Sequence, residues 1–145
     1  MDECGDHVLQ PPVEDMHRLE EPCDINGIAS YFALPPKTFC SWLHTMNYVR
    51  NICAHHSRLW NRDLNIVPEK LSFSKRLVWI SNPDTAKRSK TYYFFCMINY
   101  MLQVANPTSQ FKSKLKELLE EYKNVISLDS MGFPQGWEEE KMWED

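Results

Sequence analysis

Pro36-Lys37-Thr38-Phe39-Cys40-Ser41-Trp42-Leu43-His44-Thr45-Met46-Asn47-Tyr48-Val49-Arg50-Asn51-Ile52-Cys53-Ala54-His55-His56-Ser57-Arg58-Leu59-Trp60 carries one helical period. At ~100° per residue, with Arg50 set to zero, Trp42, Thr45, Met46, Val49, Ile52, Cys53, His56, Leu59 and Trp60 fall between about 180° and 320°. This spacing predicts a helix over 36–60 whose apolar stripe faces a core. The other flank, from about 0° to 140°, takes Arg50, Asn61, Asn47, Arg58, Asn51, Arg62, His44 and His55. It is polar and basic, although Leu43, Tyr48 and Ala54 fall in or beside it. Pro36 suits the first turn, where its missing N–H costs nothing.

Outward from this helix the chain reads as all-α. Asp24 or Asn26 can cap a short helix through Ile28, Tyr31 and Phe32, stopped by Leu34-Pro35-Pro36. Asn65 to Pro68 reads as a turn, and Leu71 to Ile80 as loop or short helix. Asn82-Pro83-Asp84 looks like a helix start. Tyr92 to Val104 is apolar on nearly every face, as at the centre of a bundle, and Asn106-Pro107 ends it. Ser109 can cap an amphipathic helix through Phe111, Leu115, Leu118, Leu119 and Tyr122. The tail, with Met131-Gly132-Phe133-Pro134, Trp137 and Trp143, is too aromatic to stay in water and should pack on the bundle. Residues 1–24, with Pro11, Pro12 and Pro22 among acids, show no period and are expected to be a disordered or extended leader to a domain spanning 25–145.

The net charge of −4 conceals an asymmetry. Residues 1–24 hold eight acids and one base, and residues 137–145 hold five acids and one base. Between them stand 14 bases against 7 acids, and Ile25 to Arg62 has no Asp or Glu while holding Lys37, Arg50, Arg58 and Arg62. A polyanion partner fits this middle despite the acidic total. No run reaches the ~20 apolar residues that span a bilayer, so no membrane association and a cytoplasmic location are expected. Five widely spaced cysteines without a C-x-x-C pair point to reduced, mostly buried thiols. A zinc site from Cys53, His55 and His56 is disfavoured, because adjacent histidines point to different helix faces.

Arg50, Asn51 and His55 carry the candidate chemistry. RNA can be cut without metal when one group moves protons and another offsets charge on a phosphorane-like transition state. Histidine suits the first task and arginine the second. Asn51 and His55 are four apart, so the amide can orient the imidazole. Arg50 and His55, by contrast, lie about 140° apart around a helix and roughly 7.5 Å along it. A second copy across a two-fold axis would bring the missing group to each phosphate. Taken as bare spacing, Arg-x4-His is a weak signal.

The longer string Trp42 to Arg62 resembles the signature segment of the AbiD/AbiF abortive-infection family. Ile28-Ala29-Ser30-Tyr31-Phe32-Ala33-Leu34-Pro35 and Met131-Gly132-Phe133-Pro134 with Trp137 are similar to the family's preceding helix and closing motif. That resemblance implies a HEPN-like helical bundle and a metal-independent endoribonuclease that works as a homodimer in anti-phage defence. It implies Arg50 and His55 as the catalytic pair, Asn51 as their polar neighbour, and no cofactor. Arg58, Arg62, Asn47 and Asn61 are the expected RNA-binding residues, and His56, on the apolar side, an expected structural histidine. Members of that family are commonly longer, so a C-terminal portion or truncated member is implied. The alternative is a non-catalytic RNA-binding or antitoxin-like module using the same flank.

Overall fold

Pro35 holds the extended backbone that a residue before proline favours, with φ −59° and ψ 141°, and Pro36 opens the long helix in the first turn. The computed structural model describes residues 22–144. Over them run α1 (Pro22–Tyr31), α2 (Pro36–Ala54), α3 (Thr91–Ala105) and α4 (Phe111–Glu121), then single 3-10 turns at Trp137–Glu139 and Lys141–Trp143. The described residues contain no strand, so the all-α reading is borne out. α1 begins at Pro22, so residues 22–24 of the expected leader are helical and Asp24 lies in the first turn, where a carboxylate suits the helix dipole. The remainder of that leader, 1–21, lies outside the described residues.

α3 is central because it is buried on two sides. Tyr93 and Tyr100, seven apart, face α2, where their rings and those of Trp42 and Trp79 form a cluster with centroids 5.2–5.6 Å apart. Tyr92, Cys96 and Asn99 face the tail. Phe133 packs at a tilt on Tyr92 at 4.7 Å, and Trp137 on Phe133 at 4.9 Å and Trp143 on Trp137 at 5.5 Å pack edge to face. Asn99 Nδ2 donates to the Met142 carbonyl at 2.9 Å, which satisfies a buried amide that would otherwise be costly. The tail thus packs on the bundle as its aromatic content requires. Ser109 Oγ accepts from the Phe111 N–H at 3.2 Å at the start of α4.

The helix expected to start at Asn82-Pro83-Asp84 starts late, and the segment Leu71 to Ile80, read as loop or short helix, is loop. Asn82-Pro83-Asp84 makes only a turn, closed by Thr85 donating to the Asn82 carbonyl, and α3 starts later at Thr91. Residues 55–90 form no helix and cross the molecule as an irregular strap. Side chains fasten its backbone. Gln103 both accepts from the Val78 N–H and donates to the Val78 carbonyl, each at 2.8 Å, and Trp42 Nε1 donates to the Glu69 carbonyl at 2.9 Å. Trp79 Nε1 donates to the Leu71 carbonyl at 2.7 Å, and the Leu71 N–H donates to Tyr93 Oη at 3.2 Å. These bonds let a segment without its own ladder stay packed. Of the cysteines described by burial, Cys96 is buried, Cys40 half-buried and Cys53 exposed, so the expectation of mostly buried thiols fits one of three.

Candidate nucleic-acid interface

α2 buries Thr38, Phe39, Trp42, Thr45, Val49 and Ile52, which matches the expected stripe as far as the helix runs. The helix stops at Ala54, six residues short of the expected end. The Ser57 N–H donates to the Ile52 carbonyl at 3.1 Å and the His56 N–H to the Cys53 carbonyl at 3.0 Å. This pair of bonds is the Schellman closure, with His56 in the left-handed region at φ 54°. Glycine or asparagine usually fills that position, so the sequence offers no familiar stop signal here.

The early stop corrects several positions. Cys53 and His56 are exposed rather than on the core stripe, and His56 shapes backbone instead of acting as a buried histidine. Leu59 and Trp60 are half-buried as expected, but from the strap. Arg58, Asn61 and Arg62 do not continue the helical flank. They follow the reversal and, with Ser57, line a shallow depression of their own.

On the helix itself, His44, Asn47 and Arg50 are exposed at a spacing of three, Asn51 is half-exposed, and His55 is exposed at the helix end. Arg50 Nη1 donates to Asn51 Oδ1 at 3.2 Å. The expected bond from the Asn51 amide to the His55 imidazole is not formed. Only main-chain atoms connect those residues, through the His55 N–H and the Asn51 carbonyl at 3.1 Å. The Asn51 side chain therefore orients the arginine.

Sequence reasoning missed what holds the depression in place. Thr91 Oγ1, buried at the start of α3, lies 3.3 Å from the Leu59 carbonyl and 3.1 Å from the Trp60 carbonyl. Asp63, the first acid after the acid-free run, is paired with Lys90 at 2.9 Å and accepts from Ser89 at 3.3 Å. The Lys90 hydrogen bond, foremost, holds the Asp63 carboxyl below its ordinary range. Its charge is thereby offset by a cation beside Arg62. The only sequence signal for this arrangement was the place where the acid-free run ends. Among the described residues no group of three His, Cys, Asp or Glu is placed to hold a metal ion, and no helix is long and apolar enough to cross a membrane.

What this surface offers chemically is a tethered guanidinium, an imidazole free of side-chain partners, and a separate pair of arginines, with no unpaired carboxylate interposed from Ile25 to Arg62. A family model described as Abi-like protein matches residues 13–61, a span that covers α1, α2 and the helix-ending turn. No curated protein and no solved structure matches the chain.

Proposed function

We propose, from the Abi-like match over residues 13–61, that this chain serves abortive infection as a metal-independent endoribonuclease of the HEPN type, built as a homodimer. The observation that supports this most is Arg50 tethered by Asn51 on the same exposed helix end as His55. In the reaction, His55 takes the proton from a ribose 2′-hydroxyl as its oxygen attacks phosphorus. The bond from phosphorus to the 5′-oxygen breaks, that oxygen takes a proton from water, and the His55 imidazolium returns its own to solvent. Arg50 offsets charge on the equatorial oxygens of the transition state. Because helical geometry separates Arg50 from His55 by about 140°, each phosphate is served by Arg50 of one copy and His55 of the other. Arg58 and Arg62, with Asn47 and Asn61, hold neighbouring parts of the strand.

Incubating the chain with RNA in EDTA tests the proposal. Cleavage giving 2′,3′-cyclic phosphate ends, lost in His55→Ala and in Arg50→Ala, is expected. Intact RNA at high protein concentration, or cutting unchanged in His55→Ala, removes the reading.

A second reading, RNA binding without cleavage, draws on the Ser57–Arg62 depression lying apart from the helix flank. Under it, RNA is retained intact, and Arg58→Ala with Arg62→Ala lowers both affinity and its salt dependence.

A further inference from the structure

One aromatic ring of the strap stands in water although the chain on both sides of it is fastened. Phe73 is 67% exposed, while Leu71 is buried with its N–H donating to Tyr93, and Ser74 Oγ lies 3.0 Å from Tyr100 Oη. The ring lines a groove of about 550 Å³, walled by the Leu34–Pro36 corner on one side and by residues 70–76 on the other. Lys70, Lys75 and Arg76 also line it, and among the described residues no acid does. These cations are not equally free. Lys70 pairs with Asp84 at 2.5 Å, which offsets it. Arg76 donates to the Tyr31 carbonyl, a neutral acceptor that leaves the guanidinium charge uncancelled. Lys75 is exposed and forms no ion pair among the described residues.

We propose that this groove binds a single-stranded nucleic acid, with one unpaired base stacked on Phe73 and the flanking phosphates held by Lys75 and Arg76. A flat apolar ring set beside cations selects that occupant. A single strand offers base faces and negative charge in alternation, and only an unpaired base can lay its face on a ring. A duplex keeps its bases stacked inside and would meet the cations alone. An acidic peptide would satisfy the cations and leave the ring unused. Because the fastened strap already holds the ring in place, little ordering is lost on binding. The groove stands at the Pro36 end of α2, roughly 21 Å along the helix axis from Arg50. It shares no residue with the Ser57–Arg62 depression, so it is a site apart from both.

The test is fluorescence anisotropy of the full chain with a labelled 2′-O-methyl oligonucleotide, which 2′-hydroxyl attack cannot cut, as a single strand and as a hairpin duplex. The single strand should bind more tightly. Phe73→Ala should weaken its binding about fivefold or more, with circular dichroism and melting unchanged because the ring is in water, and Phe73→Trp should retain it. Lys75→Gln should lower the slope of log affinity against log salt by about 0.7. Single-strand binding indifferent to Phe73→Ala, duplex bound as tightly as single strand, or poly-glutamate bound as tightly as the strand at equal charge overturns the proposal, the last assigning the groove to an acidic protein segment. RNA cleavage is read separately. A chain that binds in this way and leaves RNA intact keeps the groove and removes the nuclease. A chain that cuts RNA while Phe73→Ala changes neither binding nor rate does the reverse.

Discussion

The Arg50 guanidinium donates a hydrogen bond at 3.2 Å to the side-chain oxygen of its chain neighbour Asn51. Side chains one residue apart leave a helix in directions about 100° apart, so the arginine bends around the helix to make this bond. Its resting direction is set by Asn51. Asn51→Leu, which keeps the volume and removes the acceptor, should lower kcat/KM for RNA cleavage roughly tenfold to a hundredfold, less than loss of either reactive group. Single-turnover kinetics on a short RNA in EDTA measures this, and an unchanged rate would show that the bond does not position Arg50 for reaction.

His56 sits at φ 54° with its side chain in water. A residue with a β-carbon pays about 1 kcal/mol in that region, so His56→Gly should hold or raise stability by about that amount. His56→Val, branched at the β-carbon, should lower it by more. Urea unfolding of the three proteins decides the order. Cleavage retained in His56→Gly would assign this residue to backbone shape, and cleavage lost in a stable His56→Gly would give its imidazole a role in the reaction.

Trp143 is completely buried, packs on Trp137 and lies 3.4 Å from Tyr92 Oη through its indole nitrogen. Trp143→Ala should cost about 3–5 kcal/mol, the usual penalty for emptying a large aromatic site. Chemical denaturation followed by circular dichroism gives the figure, and a loss below 1 kcal/mol would mean that the tail is only loosely attached.

Burial raises the Tyr93 hydroxyl from its ordinary 10.0 to about 12, and burial also raises Tyr92 and Tyr100. The fold favours the neutral phenol. Its contribution to stability is therefore complete below pH 10.0 and is lost as pH climbs through about 12. Absorbance of phenolate and circular dichroism, recorded together against pH, should show these tyrosines ionising only as the helices melt. Full ionisation of all six tyrosines near pH 10 in a folded chain would contradict it.

The helices that follow a strong period were legible in the sequence. The stripe from Trp42 to Ile52 and the apolar run from Tyr92 to Val104 each announced both element and burial, and the tail's aromatic residues announced their packing. The end of α2 was not legible, because a histidine occupies a turn position that glycine normally marks. The periodic fit beyond it, through Leu59 and Trp60, is real burial reached by a different backbone. The strap hid for another reason. Its order comes from single polar side chains such as Gln103 and Thr91 on a distant helix, and no local pattern encodes those bonds. In the candidate site, residue types were readable while pairing was not. Asn51 has Arg50 and His55 both within reach along the chain, and only coordinates decide between them.

The strap's fastenings link residues far apart in sequence, 25 positions for Gln103 with Val78 and 31 for Thr91 with Trp60. Each of these fastenings depends on a side chain that α3 supplies. The turn that carries Arg58 and Arg62 is in this sense a dependent of α3. Its amides should exchange with solvent by partial openings that leave the Trp42 and Tyr100 amides protected. The surface formed by that turn would then adjust around a ligand while the aromatic centre stays closed.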